Sequence, residues 1–184
     1  MFKLTISKLL QRFVKEERAI AAVEFALILP LMLLMYLGTA EGSRLFIMDR
    51  KVAVVAGSIG DLVARMEDEI SVATLNDFFQ AAEFTMLPYP SDDLEQTVTS
   101  IYVENNGKGT VQWSRGFNGG ATYANGSSLD LPSEMSARFR RKYLIIGEAK
   151  ITWMPIVDFI YQSGFDIEKT YYFRPRFDGA ITVN

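Results

Sequence analysis

The longest feature of the hydropathy pattern is an apolar run over residues 19–40, in which Glu24 is the only charged residue. A helix of this length measures roughly 33 Å, which matches a bilayer hydrocarbon core of about 30 Å. A buried helix of a soluble protein normally keeps a polar face over such a length. The pattern therefore predicts a membrane-spanning helix.

Helical character continues beyond the apolar run, without a further proline, to about Met66. We therefore predict one helix over residues 20–66, about 70 Å long, whose membrane-spanning part ends near residue 40. Pro30 lies inside this helix and removes a backbone donor, which predicts a bend or a loosened turn.

Small residues recur every three or four positions in the second half of this helix: Ala53, Ala56, Gly57, Gly60 and Ala64. A glycine inside a helix costs about 1 kcal/mol relative to alanine, so Gly57 and Gly60 predict close packing against another backbone. The packing element is either a neighbouring subunit or the chain's own sheet, and both contacts can occur on one helix.

Residues 67–184 carry a mixed pattern that predicts one α+β domain. Apolar residues at helical spacing predict a short helix that stops before Pro88. Residues 97–104 alternate as a strand does, and Asn106-Gly107 predicts a hairpin into a second strand. Further strands are predicted from Tyr143, within residues 170–176 and near the C-terminus. We expect an antiparallel sheet laid on the long helix.

The charge distribution orients the predicted membrane helix. The net charge is −3, but the first 18 residues hold five basic residues against two acidic ones. Because positive flanks stay cytoplasmic, residues 1–19 are predicted to be a cytoplasmic leader. Residues 67–184 are predicted to lie on the opposite, periplasmic side of the membrane. Secretory cleavage after Ala40 is an alternative, although the apolar run exceeds the roughly 7–15 residues of a signal peptide.

The composition excludes several classes of site. The chain has no cysteine and no histidine, which excludes thiol nucleophiles, disulfides, Ser-His-Asp triads and most zinc and haem sites. No general basic excess points to nucleic acid, and glycine-rich residues 116–126 lack the features of a phosphate-binding loop. No pair of carboxylates lies in a recognisable catalytic frame. We expect neither enzymatic activity nor a cofactor.

One basic segment interrupts the acidic outer domain: Arg138, Arg140, Arg141 and Lys142 surround Phe139. Such a segment is either a solvated turn before a strand or a patch for anionic lipid headgroups or an acidic partner. We interpret it as a solvated turn.

Glu24 has two interpretations. It lies six residues after Arg18, so its carboxylate could reach the membrane interface. Alternatively it is paired with another charge, because acids inside a membrane are costly and are usually compensated.

The stretch "ERAIAAVEFALILPLML", residues 17–33, resembles the N-terminal signature of TadE-like proteins, the small pilin-like subunits of tight-adherence (Flp-type) pili. The resemblance continues in "EGSRLFIMDRKV", residues 41–52. It extends more weakly to "VQWS" at residues 111–114, "LP" at residues 131–132 and "YYFRPR" at residues 171–176. It implies a pilin-like α+β fold.

The resemblance also implies roles for individual residues. A prepilin peptidase would cut between Ala19 and Ile20, five residues before the glutamate, and Ile20 would become the mature N-terminus. Glu24 would then pair with the free amine of a neighbouring subunit, which supplies the compensating charge. The family normally has glycine before the cut, whereas this chain has Ala19. An uncut chain would act as a static anchor.

We therefore predict a minor pilin or pseudopilin of a tight-adherence type IV pilus, with a role in cell adhesion. The protein would cross the bacterial inner membrane once, place its C-terminal domain in the periplasm and possess no enzymatic activity. Its partners would be the lipid bilayer, other pilin subunits, the prepilin peptidase and the inner-membrane assembly platform. The alternative is a membrane-tethered periplasmic binding domain that enters no filament.

Overall fold

The computed structural model describes residues 17–155 and 164–184, so most of the leader predicted over residues 1–19 lies outside the described residues. Helix α1 spans Glu17–Ala64 and continues through Pro30. This confirms the long helix within a few residues at each end. The chain divides into two compact units, one ending at Arg44 and one beginning at Leu45. We call the second unit the folded domain.

The folded domain contains the second half of α1 and the shorter elements that follow it. In chain order these are β1 (Glu69–Ile70), α2 (Val72–Glu83), a 3-10 turn (Phe84–Met86), β2 (Glu95–Val103), β3 (Gly109–Phe117), β4 (Ser128–Leu129), α3 (Ser133–Arg138), β5 (Tyr143–Trp153), β6 (Phe165–Phe173) and β7 (Thr182–Val183). The Ser71 side chain caps α2 by accepting a hydrogen bond from the Thr74 N–H at 3.1 Å.

Five strands form one antiparallel sheet in the order β4-β3-β2-β5-β6. The α+β class with a long apolar helix before an antiparallel sheet is therefore confirmed. The predicted C-terminal strand is β7, which pairs in parallel with β1 in a separate two-stranded ladder. The strand predicted within residues 170–176 begins earlier, at Phe165, and its ladder ends at Phe173, before Pro175, which has no N–H to donate.

The central strand β2 is buried on both faces of the sheet. One face packs on α1 and α2 through a core that includes Val55, Ile59 and Phe79. The other face carries a second cluster around Ile101 and Ile146, which the β3–β5 connection covers. Because both faces are covered, β2 has an almost unbroken run of buried residues rather than a simple alternation.

Helix α1 meets the sheet where two glycines face each other. A β-carbon at Gly147 on β5 would lie 3.0 Å from the backbone nitrogen of Gly60 and would overlap the carbonyl oxygen of Ala56. A β-carbon at Gly60 would lie 2.5 Å from two ring carbons of Phe173. The absence of both side chains lets helix and strand backbones approach closely, so Gly60 packs against the chain's own sheet.

We expect Gly147→Ala to destabilise the folded domain by about 2–3 kcal/mol, because the new methyl group meets helix backbone that cannot move aside. Gly60→Ala should cost less, since the Phe173 ring can rotate. Thermal unfolding of the full chain in mild detergent, monitored by the fluorescence of the buried Trp113 and Trp153, compares the destabilisation that the two substitutions cause.

Gly57→Ala is the matched control, because a β-carbon there meets nothing within 4 Å. It should raise stability by up to about 1 kcal/mol through its helix propensity alone. Equal effects of the three substitutions would contradict the assignment of the contact to Gly60 and Gly147.

Candidate functional site

The N-terminal half of α1 is an apolar helix without cover. Each residue from Ile20 to Ala40 is exposed, and the segment is long and apolar enough to cross a membrane. The segment lies near the N-terminus and the folded domain follows it, which is the arrangement of a single-pass membrane protein. Its large exposed side chains include Phe25, Leu27, Leu31 and Tyr36. Their exposure requires a nonpolar environment such as lipid or other apolar helices.

The predicted processing and pairing residues lie at the start of this helix. Because α1 begins at Glu17, the peptide bond between Ala19 and Ile20 belongs to its first turn. Glu24 follows Ile20 by four residues and is therefore one helical turn away on the same face. Both side chains are exposed. The roles of Ala19, Ile20 and Glu24 remain predictions.

The two glycines predicted for helix packing occupy different surroundings. Gly60 is covered by Phe173 and by the backbone at Gly147, whereas Gly57 has open space beside it. Gly57 lies in a groove of about 790 Å³ between the second half of α1 and strand β6. The groove is lined by Asp49, Arg50, Ala53, Val54, Gly57, Ser58, Asp61, Lys169, Tyr171 and Phe173.

The groove has both charged and apolar groups in its lining. The Lys169 ammonium lies 2.7 Å from an Asp49 carboxylate oxygen, which joins β6 to α1 at one end. Val54 and Tyr171 remain exposed between the charged groups. The groove is therefore a mixed surface of charged and apolar groups, a composition also found at protein–protein interfaces.

The opposite face of the sheet holds a small polar pocket of about 70 Å³. In it the Tyr123 hydroxyl lies 3.1 Å from Oε1 of Glu148 and donates a hydrogen bond to that carboxylate. Burial raises the pKa of Glu148, and the nearby Glu168 charge raises it further. Burial, together with the Glu148 charge, raises the pKa of Tyr123 to about 12. A carboxyl group with a shifted pKa in a cleft is a reason to consider catalysis.

Lys150, which lines the pocket, is held by another acid. Its ammonium lies 3.0 Å from an Asp166 carboxylate oxygen, and this contact lowers the pKa of Asp166. The volume suits a few water molecules rather than an organic substrate. Within residues 17–155 and 164–184, no cluster of three or more Asp or Glu side chains is arranged to hold a metal ion. We interpret the Tyr123–Glu148 contact as structural.

The comparison with known families concerns α1. Residues 19–57 match the family model described as TadE-like protein. This segment is similar to TadE-like proteins. The match covers the predicted processing position, Glu24, Pro30 and the helix as far as Gly57, and it confirms the resemblance over these residues. It spans about a fifth of the chain. No curated protein and no solved structure matches the chain.

Some residues of the groove beside the TadE-like segment could not be identified from sequence. Lys169, Tyr171 and Phe173 reach α1 only because β6 pairs with β5 in one particular register. The available signal was the alternation of apolar and charged residues over 165–168 and the aromatic residues at 171–173, which indicate a strand but not the helix that it faces.

Glu148→Gln tests the effect of burial on the pKa of Glu148. Because burial raises the pKa of Glu148 in the folded state, ionisation opposes folding as the pH rises through that pKa, and protonation favours folding at lower pH. The variant should therefore unfold at a higher temperature than the native chain at pH 7, and the difference should shrink at pH 4. Glu134→Gln, at an exposed position, should show no such pattern.

If the melting temperatures of Glu148→Gln and the native chain differ by the same amount at pH 7 and at pH 4, burial does not raise the pKa of Glu148. Such a result would indicate that the substitution acts through packing rather than through charge.

Proposed function

We propose that this protein is a minor pilin or pseudopilin of a tight-adherence type IV pilus, assembled through its N-terminal helix. The single observation that carries the proposal is that the match to TadE-like proteins includes residues 20–40 of α1, an apolar stretch whose side chains are all uncovered. A TadE-like helix is associated with these pili, and an uncovered apolar helix requires lipid before assembly and other helices afterwards.

Glu24 gives the proposal its mechanism. A carboxylate in this apolar helix is costly in lipid unless a positive charge compensates it. Cleavage between Ala19 and Ile20 would create an ammonium group at the new N-terminus. The amine of one subunit would then pair with Glu24 of its neighbour, which favours one register between the two helices.

The location and partners follow from this mechanism. The basic leader would remain on the cytoplasmic side of the bacterial inner membrane, where the prepilin peptidase removes it. The folded domain would lie in the periplasm and later on the pilus, with a role in adhesion. The assembly platform would transfer the subunit from lipid to the growing filament, and the groove beside Gly57 offers a further surface to neighbouring subunits.

Glu24→Gln in the native host tests the mechanism. We expect at least about a tenfold loss of the protein from sheared surface filaments, because the ammonium of the neighbour loses its compensating charge. The amount in the membrane fraction should stay equal or rise, since glutamine is less costly in lipid than an ionised glutamate. Quantitative immunoblots of both fractions measure the two effects.

Glu67→Gln removes an equal charge at an exposed position just beyond α1 and should leave both fractions unchanged. If Glu24→Gln chains enter filaments normally, or if the native chain never does, the pilin mechanism is wrong. The tethered periplasmic domain would then be the better account.

A further inference from the structure

A basic pocket lies at the end of the sheet where α1 terminates. It has a volume of about 320 Å³ and is lined by Arg141, Lys142, Tyr143, Arg174, Pro175 and Asp178. The β5–β6 ladder ends at the pair Ile145 and Phe173. The segments just beyond that pair, before β5 and after β6, therefore lie side by side and bring together cations from distant parts of the chain.

The backbone on both sides of this pocket is held in place. The Arg141 N–H donates to the carbonyl oxygen of Val103 at 2.7 Å, and the Val103 N–H donates to the carbonyl oxygen of Lys142 at 2.9 Å. On the other side, the Arg176 N–H donates to the carbonyl oxygen of Ala64 at 2.9 Å. The cations thus project from fixed positions rather than from a loosely attached turn.

The charges in the pocket are unbalanced. Its lining contains three cations and one acid, Asp178, whose carboxylate is hydrogen-bonded by Arg174. Arg141 and Lys142 form no ion pair with any side chain in the described ranges. The pocket therefore has a net formal charge of +2 within a chain whose net charge is −3.

We propose that this pocket binds a phosphate group. Two guanidinium groups and an ammonium group can donate several charge-assisted hydrogen bonds to phosphate oxygens, which is the recognition that arginine favours. A phosphate monoester carries a charge of about −1.5 to −2 at pH 7, which is close in magnitude to the net positive charge of the pocket. Tyr143, which packs against Tyr102 with ring centroids 5.0 Å apart, gives the pocket a rigid aromatic wall.

This assignment goes beyond filament assembly and does not depend on it. It also revises the interpretation of the basic segment as a solvated turn, because Arg174 joins that segment from a different part of the chain. The phosphate could belong to a soluble molecule or to a lipid headgroup. Both sources present the same oxygen atoms to the same cations.

The test is a calorimetric titration of inorganic phosphate into the full chain held in nanodiscs of uncharged phosphatidylcholine. Native protein should show saturable binding that weakens as sodium chloride is added, because salt screens exposed charges. Arg141→Asn and Arg174→Gln should each weaken binding by about tenfold. Asparagine suits position 141 because Arg141 has a left-handed backbone with φ of 59°.

Arg140→Gln is the matched control. Arg140 is exposed and adjacent to Arg141, but it does not line the pocket, so its loss should change the affinity less than twofold. Melting curves of all three variants establish that each is folded. Absence of saturable binding in the native protein, or equal weakening by Arg140→Gln and Arg141→Asn, would overturn the proposal.

A second set of nanodiscs, containing phosphatidylglycerol, separates the two phosphate sources. Competition from the headgroups that lowers the affinity for inorganic phosphate, and that Arg141→Asn abolishes, would support the pocket with a lipid as its ligand. An unchanged affinity would support the pocket with a soluble phosphate compound as its ligand.

Discussion

An apolar helix surface must be shielded from water, and the two halves of α1 differ in what can shield them. Its second half is covered by the sheet of the folded domain, with Val55 and Ile59 in the core and Gly60 against Gly147. Its first half, from Ile20 to Ala40, is exposed throughout. That half requires a nonpolar environment such as lipid or other apolar helices, and it lies within residues 19–57, which match TadE-like proteins.

The second half of α1 contributes residues to the hydrophobic core on one side and has an open surface on another. Gly60 permits close packing on the sheet, whereas Gly57 faces an open groove whose far side is the edge strand β6. The Lys169–Asp49 ion pair places a charge on that edge strand and points it toward the helix. Charges of this kind discourage unwanted pairing of sheet edges.

Local patterns predicted the elements well, and non-local contacts explain what they missed. The unbroken apolar run predicted α1, and Asn106-Gly107 predicted the turn between β2 and β3, because both signals depend on neighbouring residues. The parallel pairing of β7 with β1 and the meeting of Arg174 with Arg141 depend on strands distant in sequence. The packing of the β3–β5 connection on the outer face of the sheet was also not predicted, because residues 118–142 show little hydrophobic periodicity.

Sequence reasoning about the helix surface was limited in a similar way. The spacing of Gly57 and Gly60 indicated close packing, but both alternatives, a neighbour and the chain's own sheet, were consistent with it. Only the position of β5 distinguishes the two glycines, because Gly147 lies directly against Gly60. The predicted roles of Ala19, Ile20 and Glu24 concern other proteins, a partner chain and a peptidase, so they remain predictions.

The measurement that tests this account most directly is the N-terminal sequence and intact mass of the protein isolated from membranes of its native host. The account predicts a chain that begins at Ile20, processed despite the alanine at position 19. A chain that begins at Met1 would indicate an unprocessed anchor, and one that begins at Glu41 would indicate an exported domain without its apolar helix. Either result would contradict assembly through a freed amine and Glu24.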